Sequence, residues 1–191
     1  LRPDRRQPRG EGPASPCSTC AGAEPPCRAG WRIGASFDRG PAVLIDRAGI
    51  MSRIPHQGAS CLLDSCFAWT ATTLSARTRA HLREDNPLRF EGRLGPLAGA
   101  EMAMQAAALH GALTGAGERL KAPAYLAALR DLEWVCERLD VPEYGTLHLD
   151  VVREQSDTAG MIYGFKVTSA NGQSLVSGRG IVMFRPLGRP S

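Results

Sequence analysis

One carboxylate stands inside the most apolar stretch of this sequence. Between Pro96 and Leu113, Glu101 is surrounded by Ala98, Met102, Ala103, Met104 and Ala108, which supply little hydration. Desolvation disfavours the charged form of a carboxyl, so a group placed this way holds its proton towards neutral pH and suits the role of a general acid. A buried carboxyl without a partner is costly, so it must be satisfied or used. Gln105 lies one turn on, about 40° around a helix from Glu101, and shares its face; His110 lies about 180° away and cannot be its partner. His110 reads as a core or dimer-surface histidine. His56, beside Pro55 in a loop, is a second titratable group, and its bland reading is that the ring ties down the N-terminal segment.

The elements that must hold these groups are legible in outline. Pro96 suits the first helical position, Ala, Leu and Met favour the helix, and Gly115 and Gly117 stop it. This helix is apolar almost all round, so it is either enclosed by protein or spans a membrane; Glu101, Gln105 and His110 argue against the membrane. Upstream, 61–69 and 71–81 read as strands of a hairpin, with Thr72, Leu74, Ala76, Thr78 and Ala80 on one face and Arg77, Arg79 and His81 on the other. A turn-rich connector, 83–95, joins them to the helix. Downstream, 151–152, 161–167 and 175–184 read as strands, with Asn171-Gly172 as a hairpin turn. The segment 125–139 is ambiguous: Tyr125, Leu129, Leu132, Cys136 and Leu139 fit a helical period, while Leu126, Ala128, Leu132, Trp134 and Cys136 fit alternation. Strands, one buried helix, then strands define an α+β domain with the helix packed on an antiparallel sheet.

Composition narrows the function. The chain has 191 residues and net charge +4, the length of one domain with some excess. Residues 1–50 carry eight Arg against five acidic residues, and 51–191 carry fifteen Lys and Arg against fourteen acids. The domain therefore presents no large positive field, which argues against nucleic acid. Residues 1–50 are rich in Arg, Pro and Gly and are expected to be a disordered leader, with the folded domain at 51–191. No apolar run of about 7 to 15 residues marks a secretory signal. Met51 opens the first patterned segment, and translation is expected to start there, the leader being an upstream extension of the reading frame. Cys61, Cys66 and Cys136 read as buried free thiols. Cys17 and Cys20 with Cys27 have the gap of a zinc knuckle but lack a fourth ligand, so no metal is expected.

Three segments, in order, resemble a known family. The run from Ile54 to Asp64, with its Pro55-His56 pair and Leu62-Leu63-Asp64 end, resembles the opening element of FabZ-like dehydratases. Gly99 to Ala106, with Glu101 and Gln105, resembles their helix motif. With Asn86 to Leu94, including Arg89 and Arg93, the pattern looks closest to the ApeP-type branch found in aryl polyene biosynthetic clusters. The resemblance implies a hot-dog fold, in which a curved antiparallel sheet wraps one central helix at about 96–114, assembled as a homodimer or with another hot-dog subunit, with active sites at the interface. It also implies that 125–139 is a strand, against its helical period.

The chemistry implied is dehydration of a 3-hydroxyacyl thioester on an acyl carrier protein, as in fatty acid or polyene biosynthesis, without a cofactor and in the cytoplasm. In such enzymes a His of one subunit removes the α-proton and a helix carboxylate of the other protonates the departing hydroxyl. Glu101 takes the acid's place, and Gln105 orients it or the thioester. The family's His-Phe-Pro-Gly loop is missing: Arg89-Phe90-Glu91-Gly92 stands in that region. His56 is then the remaining base, and Arg89 and Arg93 are expected to contact phosphopantetheine or an acidic carrier. Two other roles compete, a non-catalytic subunit of a heteromeric dehydratase and a hot-dog thioesterase in which Glu101 activates water or attacks the thioester; a plain binding domain for apolar ligands is the fallback.

Overall fold

The computed structural model describes residues 42–115 and 124–184. Its chain order is β1 (Ile45–Asp46), α1 (Arg47–Met51), β2 (Ser65–Trp69), β3 (Thr73–Thr78), α2 (Leu97–Leu113), β4 (Ala124–Trp134), β5 (Leu147–Ser156), β6 (Gly160–Thr168) and β7 (Ser174–Phe184). The strands form one antiparallel sheet in the order β1-β2-β3-β5-β6-β7-β4. Alternation sends Leu74, Ala76 and Thr78 of β3, Leu147, Leu149 and Val151 of β5, and Tyr163, Phe165 and Val167 of β6 to the inner face. That face packs on α2, where twelve of seventeen residues are buried, so the helix is enclosed as its composition demands. Gly99 permits the close approach: a Cβ there would stand 3.0 Å from Val176 Cγ2 and 3.2 Å from Leu139 Cδ1. No described helix is long and apolar enough to cross a membrane.

Burial on α2 is not uniform. Apart from half-buried Leu113 at its last position, its open positions are Leu97, Glu101, Ala108 and Ala112, which fall within about 60° of one another around the axis. The helix is therefore sheathed except for one narrow stripe, and Glu101 lies on it.

Segment 124–134 is a strand despite its helical period. Register shifts between Leu126 and Ala128 and between Arg130 and Glu133 reset its alternation twice, and Asp131 takes φ +51° at the second. Spacings of four and three residues thus arise from broken alternation rather than from a helix. Arg179 fixes the second bulge, bonding Asp131 at 2.7 Å and Glu154 at 2.8 Å.

Other boundaries shift for local reasons. Ordered elements include Ile45–Met51, so the expected boundary at 50/51 falls inside α1, which buries Ile50 and is capped by the Asp46 carboxylate accepting from Gly49 N–H at 2.8 Å. The cysteines of the zinc-knuckle reading and the rest of the leader to residue 41 lie outside the described residues. β3 stops at Thr78, and a 3-10 turn, Ala80–Leu82, swings His81 inward, where it is fully buried rather than exposed beside Arg77 and Arg79.

His81 has no hydrogen-bond partner for either ring nitrogen. Burial, then Arg79, and more weakly Arg89, push its pKa down to about 4, against the opposing pull of Asp64 and Asp140. The folded protein holds this ring neutral while the unfolded chain takes up a proton near pH 6.5, so stability is lost as pH falls from about 6.5 to 4. The expected loss is on the order of 2 kcal/mol after screening by the flanking charges. Urea midpoints at pH 7.5 and pH 5 test this, and His81→Leu should flatten the slope. Burial also lowers His110 and His148, which act in the same direction, so some slope will persist; an unchanged slope in His81→Leu would remove His81 as a source.

Candidate active site

Three residues from two parts of the chain converge on the open stripe of α2. His56 Nε2 stands 3.5 Å from Glu101 Oε1, and Gln105 Nε2 donates to the same carboxylate oxygen at 3.1 Å. Gln105 is itself buried. Its Nε2 also donates to Ser60 carbonyl oxygen at 3.0 Å, and its Oε1 accepts from Leu62 N–H at 2.8 Å. Those two backbone bonds settle which end of the amide faces the carboxyl, so Gln105 can only donate to Glu101. One side chain thus holds the Glu101 carboxylate and ties the loop that carries His56 to the helix.

The loop is fixed from its other end too. Ile54 is buried in the core, and the Gln57 side chain donates to Met51 and Ile54 carbonyls at 2.7 and 3.0 Å. His56 Nδ1 is buried without a partner, and Nε2 is the ring nitrogen that faces Glu101.

The carboxyl is less enclosed than the sequence implies. The apolar neighbours Ala98, Met102, Ala103 and Met104 face the core, whereas 36% of the Glu101 side chain and 33% of the His56 side chain remain open. Glu101 opens on a cleft of about 290 Å³, lined also by Leu88, Gly95, Leu97 and Ala98. Leu97, exposed at 58%, gives the cleft an apolar rim. The cleft thus combines an apolar wall with a single carboxylate.

The two arginines part company. Arg89 does not face the cleft: its guanidinium turns inward to Asp140 Oδ2 at 2.8 Å and to carbonyls of Arg83, Gly92 and His81. A guanidinium spent on four internal acceptors cannot also hold a phosphate, so its expected substrate contact is corrected to an internal one. Arg93 is exposed near the turn Glu91-Gly92 and joins no ion pair among the described residues. His110 is a core residue: Nδ1 is 2.9 Å from Tyr163 Oη and Nε2 is 3.1 Å from the Thr70 carbonyl. Burial lowers its pKa and pushes Tyr163 up to about 12, which keeps this bonded pair neutral. No cluster of metal-ligating side chains occurs among the described residues.

A curved antiparallel sheet around one helix, with a carboxylate on that helix facing a cleft, defines a hot-dog-fold protein. The chain belongs to the ApeP-like family: the model of the ApeP dehydratase matches residues 49–187. Among solved structures, the dehydratase heterocomplex ApeI:P from Xenorhabdus doucetiae is similar at 15% identity and TM-score 0.59, over 72% of this chain and 91% of that one. AziG from S. sahachiroi matches at 11% identity and TM-score 0.47, over 62% and 88%. A mutant thioesterase from Pseudomonas aeruginosa matches at 10% and 0.49, over 64% and 81%. No curated protein matches the sequence.

Proposed function

We propose that this ApeP-type dehydratase removes water from 3-hydroxyacyl thioesters presented by an acyl carrier protein, with Glu101 as acid and His56 as base. The observation that carries the reading is the 3.5 Å approach of His56 to Glu101, a carboxylate that lines an apolar-walled cleft. His56 Nε2 takes the α-proton, the C–H electrons become the new double bond, and the C–O bond breaks as Glu101 gives its proton to the leaving hydroxyl. Water departs, and the base now holds one proton more and the acid one fewer. Their proximity lets that proton return, so the pair resets without a third group.

His56 supplies what the missing His-Phe-Pro-Gly loop would have held. It differs from the cross-subunit arrangement in one respect: both groups belong to one chain. Arg93 is the cation we place at the approach of the phosphopantetheine arm, and the cytoplasm, where carrier thioesters are made, is the proposed compartment.

A partner remains part of the reading. β4 is an edge strand with Tyr125, Leu126 and Trp134 exposed, the last at 51%, and Val135 just beyond its end is 71% exposed. Such an edge invites a neighbour, and a second hot-dog subunit, whether a copy of this chain or a relative, is the partner we propose. Incubating the purified chain with a 3-hydroxyacyl carrier protein, alone and with a co-expressed hot-dog subunit, should give the enoyl thioester. Free acid in its place would select the thioesterase reading, and substrate left intact in both samples would reject catalysis by this chain.

A further inference from the structure

The loop that walls the cleft is held by a buried ion pair remote from the reacting atoms. Residues 83–95 contain no helix or strand, only a tip closed by mutual backbone bonds of Phe90 and Arg93, both 2.9 Å. Arg89 gathers this loop from within. Nε donates to the Arg83 carbonyl at 2.8 Å, one terminal nitrogen to Gly92 at 2.9 Å, and the other to His81 at 3.3 Å, so both ends of the loop converge on one planar group. The same guanidinium meets Asp140, whose side chain is only 3% exposed and is also held by Arg138 at 2.6 and 2.7 Å. The Arg138 hydrogen bond, aided by Leu94 N–H and Arg89, holds the Asp140 carboxyl well below the usual carboxylate range. Beside it, Leu139 N–H donates to the Leu94 carbonyl at 2.7 Å, at the foot of the loop.

This geometry sets which way the loop's other side chains point. Arg89 faces in while its neighbours Leu88 and Phe90 face out, and Leu88 and Gly95 wall the cleft beside Glu101. We propose that Arg89 and Asp140 form a latch that positions the cleft wall for the thioester, acting on substrate binding and not on the proton transfers. They are positioning residues, and the proposal rests on the functional reading above.

In Arg89→Met, KM for a 3-hydroxyacyl pantetheine thioester should rise at least about tenfold while kcat stays within about threefold, the signature of lost binding shared by ground and transition states. Arg89→Lys, which keeps the charge without the fork, should fall between the two. Amide exchange at Phe90 and Arg93 should accelerate while that of β5 and β6 stays as in the parent. The Kd of an acyl-pantetheine amide, which needs no turnover, should weaken in parallel with KM. If Arg89→Met does not fold, Asp140→Asn, nearly isosteric, carries the same expectation. Faster loop exchange with unchanged KM and Kd would overturn the proposal, as would a fall in kcat at constant KM. A parent protein that binds the amide but makes no enoyl product would defeat the functional reading and leave the latch standing.

Discussion

Glu101→Gln is expected to lower kcat for dehydration by about 10³-fold, within the range that a positioned general acid supplies, with little effect on folding. The substitution keeps the size and an oxygen that accepts from Gln105 Nε2, now 3.1 Å from Glu101 Oε1. The side chain is partly open to the cleft, so no fully buried charge is created or orphaned. What disappears is the proton the departing hydroxyl needs. The measurement is the rate of enoyl thioester formation alongside a melting curve; a folded variant within tenfold of the parent would take the acid's role away from Glu101.

His56→Asn should cost about 10²-fold or more in kcat/KM, the lower part of the general-base range, because no other imidazole reaches the carboxyl. His110 is occupied by Tyr163 and Thr70, and His81 is fully buried. The two groups act on one substrate as a unit, so Glu101→Gln with His56→Asn in the same chain should be little worse than the poorer single variant. Mixing the two single variants gives a sharper result. A site assembled across subunits would regain one intact pair in every mixed dimer, whereas the in-chain distance of 3.5 Å leaves each subunit with a broken pair. Recovered activity on mixing would mean that the working His and Glu come from different chains.

The sequence exposed the site's parts through chemistry and hid their surroundings. Glu101 stood out because a lone carboxylate in an Ala/Met-rich helix conflicts with its neighbours, and Gln105 followed from helical geometry. Pairing His56 with Glu101 required 44 residues of intervening chain to close up, which no local period encodes; the family resemblance singled the residue out. Arg89 was misplaced because an arginine in a polar loop is usually solvated, and its partner Asp140 lies beyond β4 with no periodic cue. His81 was put on the wrong face because the strand pattern was carried past Thr78, where the chain turns into a 3-10 turn. The helical period of 124–134 is the instructive case: two bulges on an edge strand reproduce spacings of three and four, so alternation and helical period competed and the resemblance decided for a strand.

Drawing the imidazole and the carboxyl from a single polypeptide changes what a companion subunit must contribute. Under the proposed mechanism a companion would need only to cover the groove and brace the open edge, leaving its own reactive positions free to drift. In a mixed pair, turnover would then follow the number of copies of this chain rather than the number of assemblies, at one working centre for each.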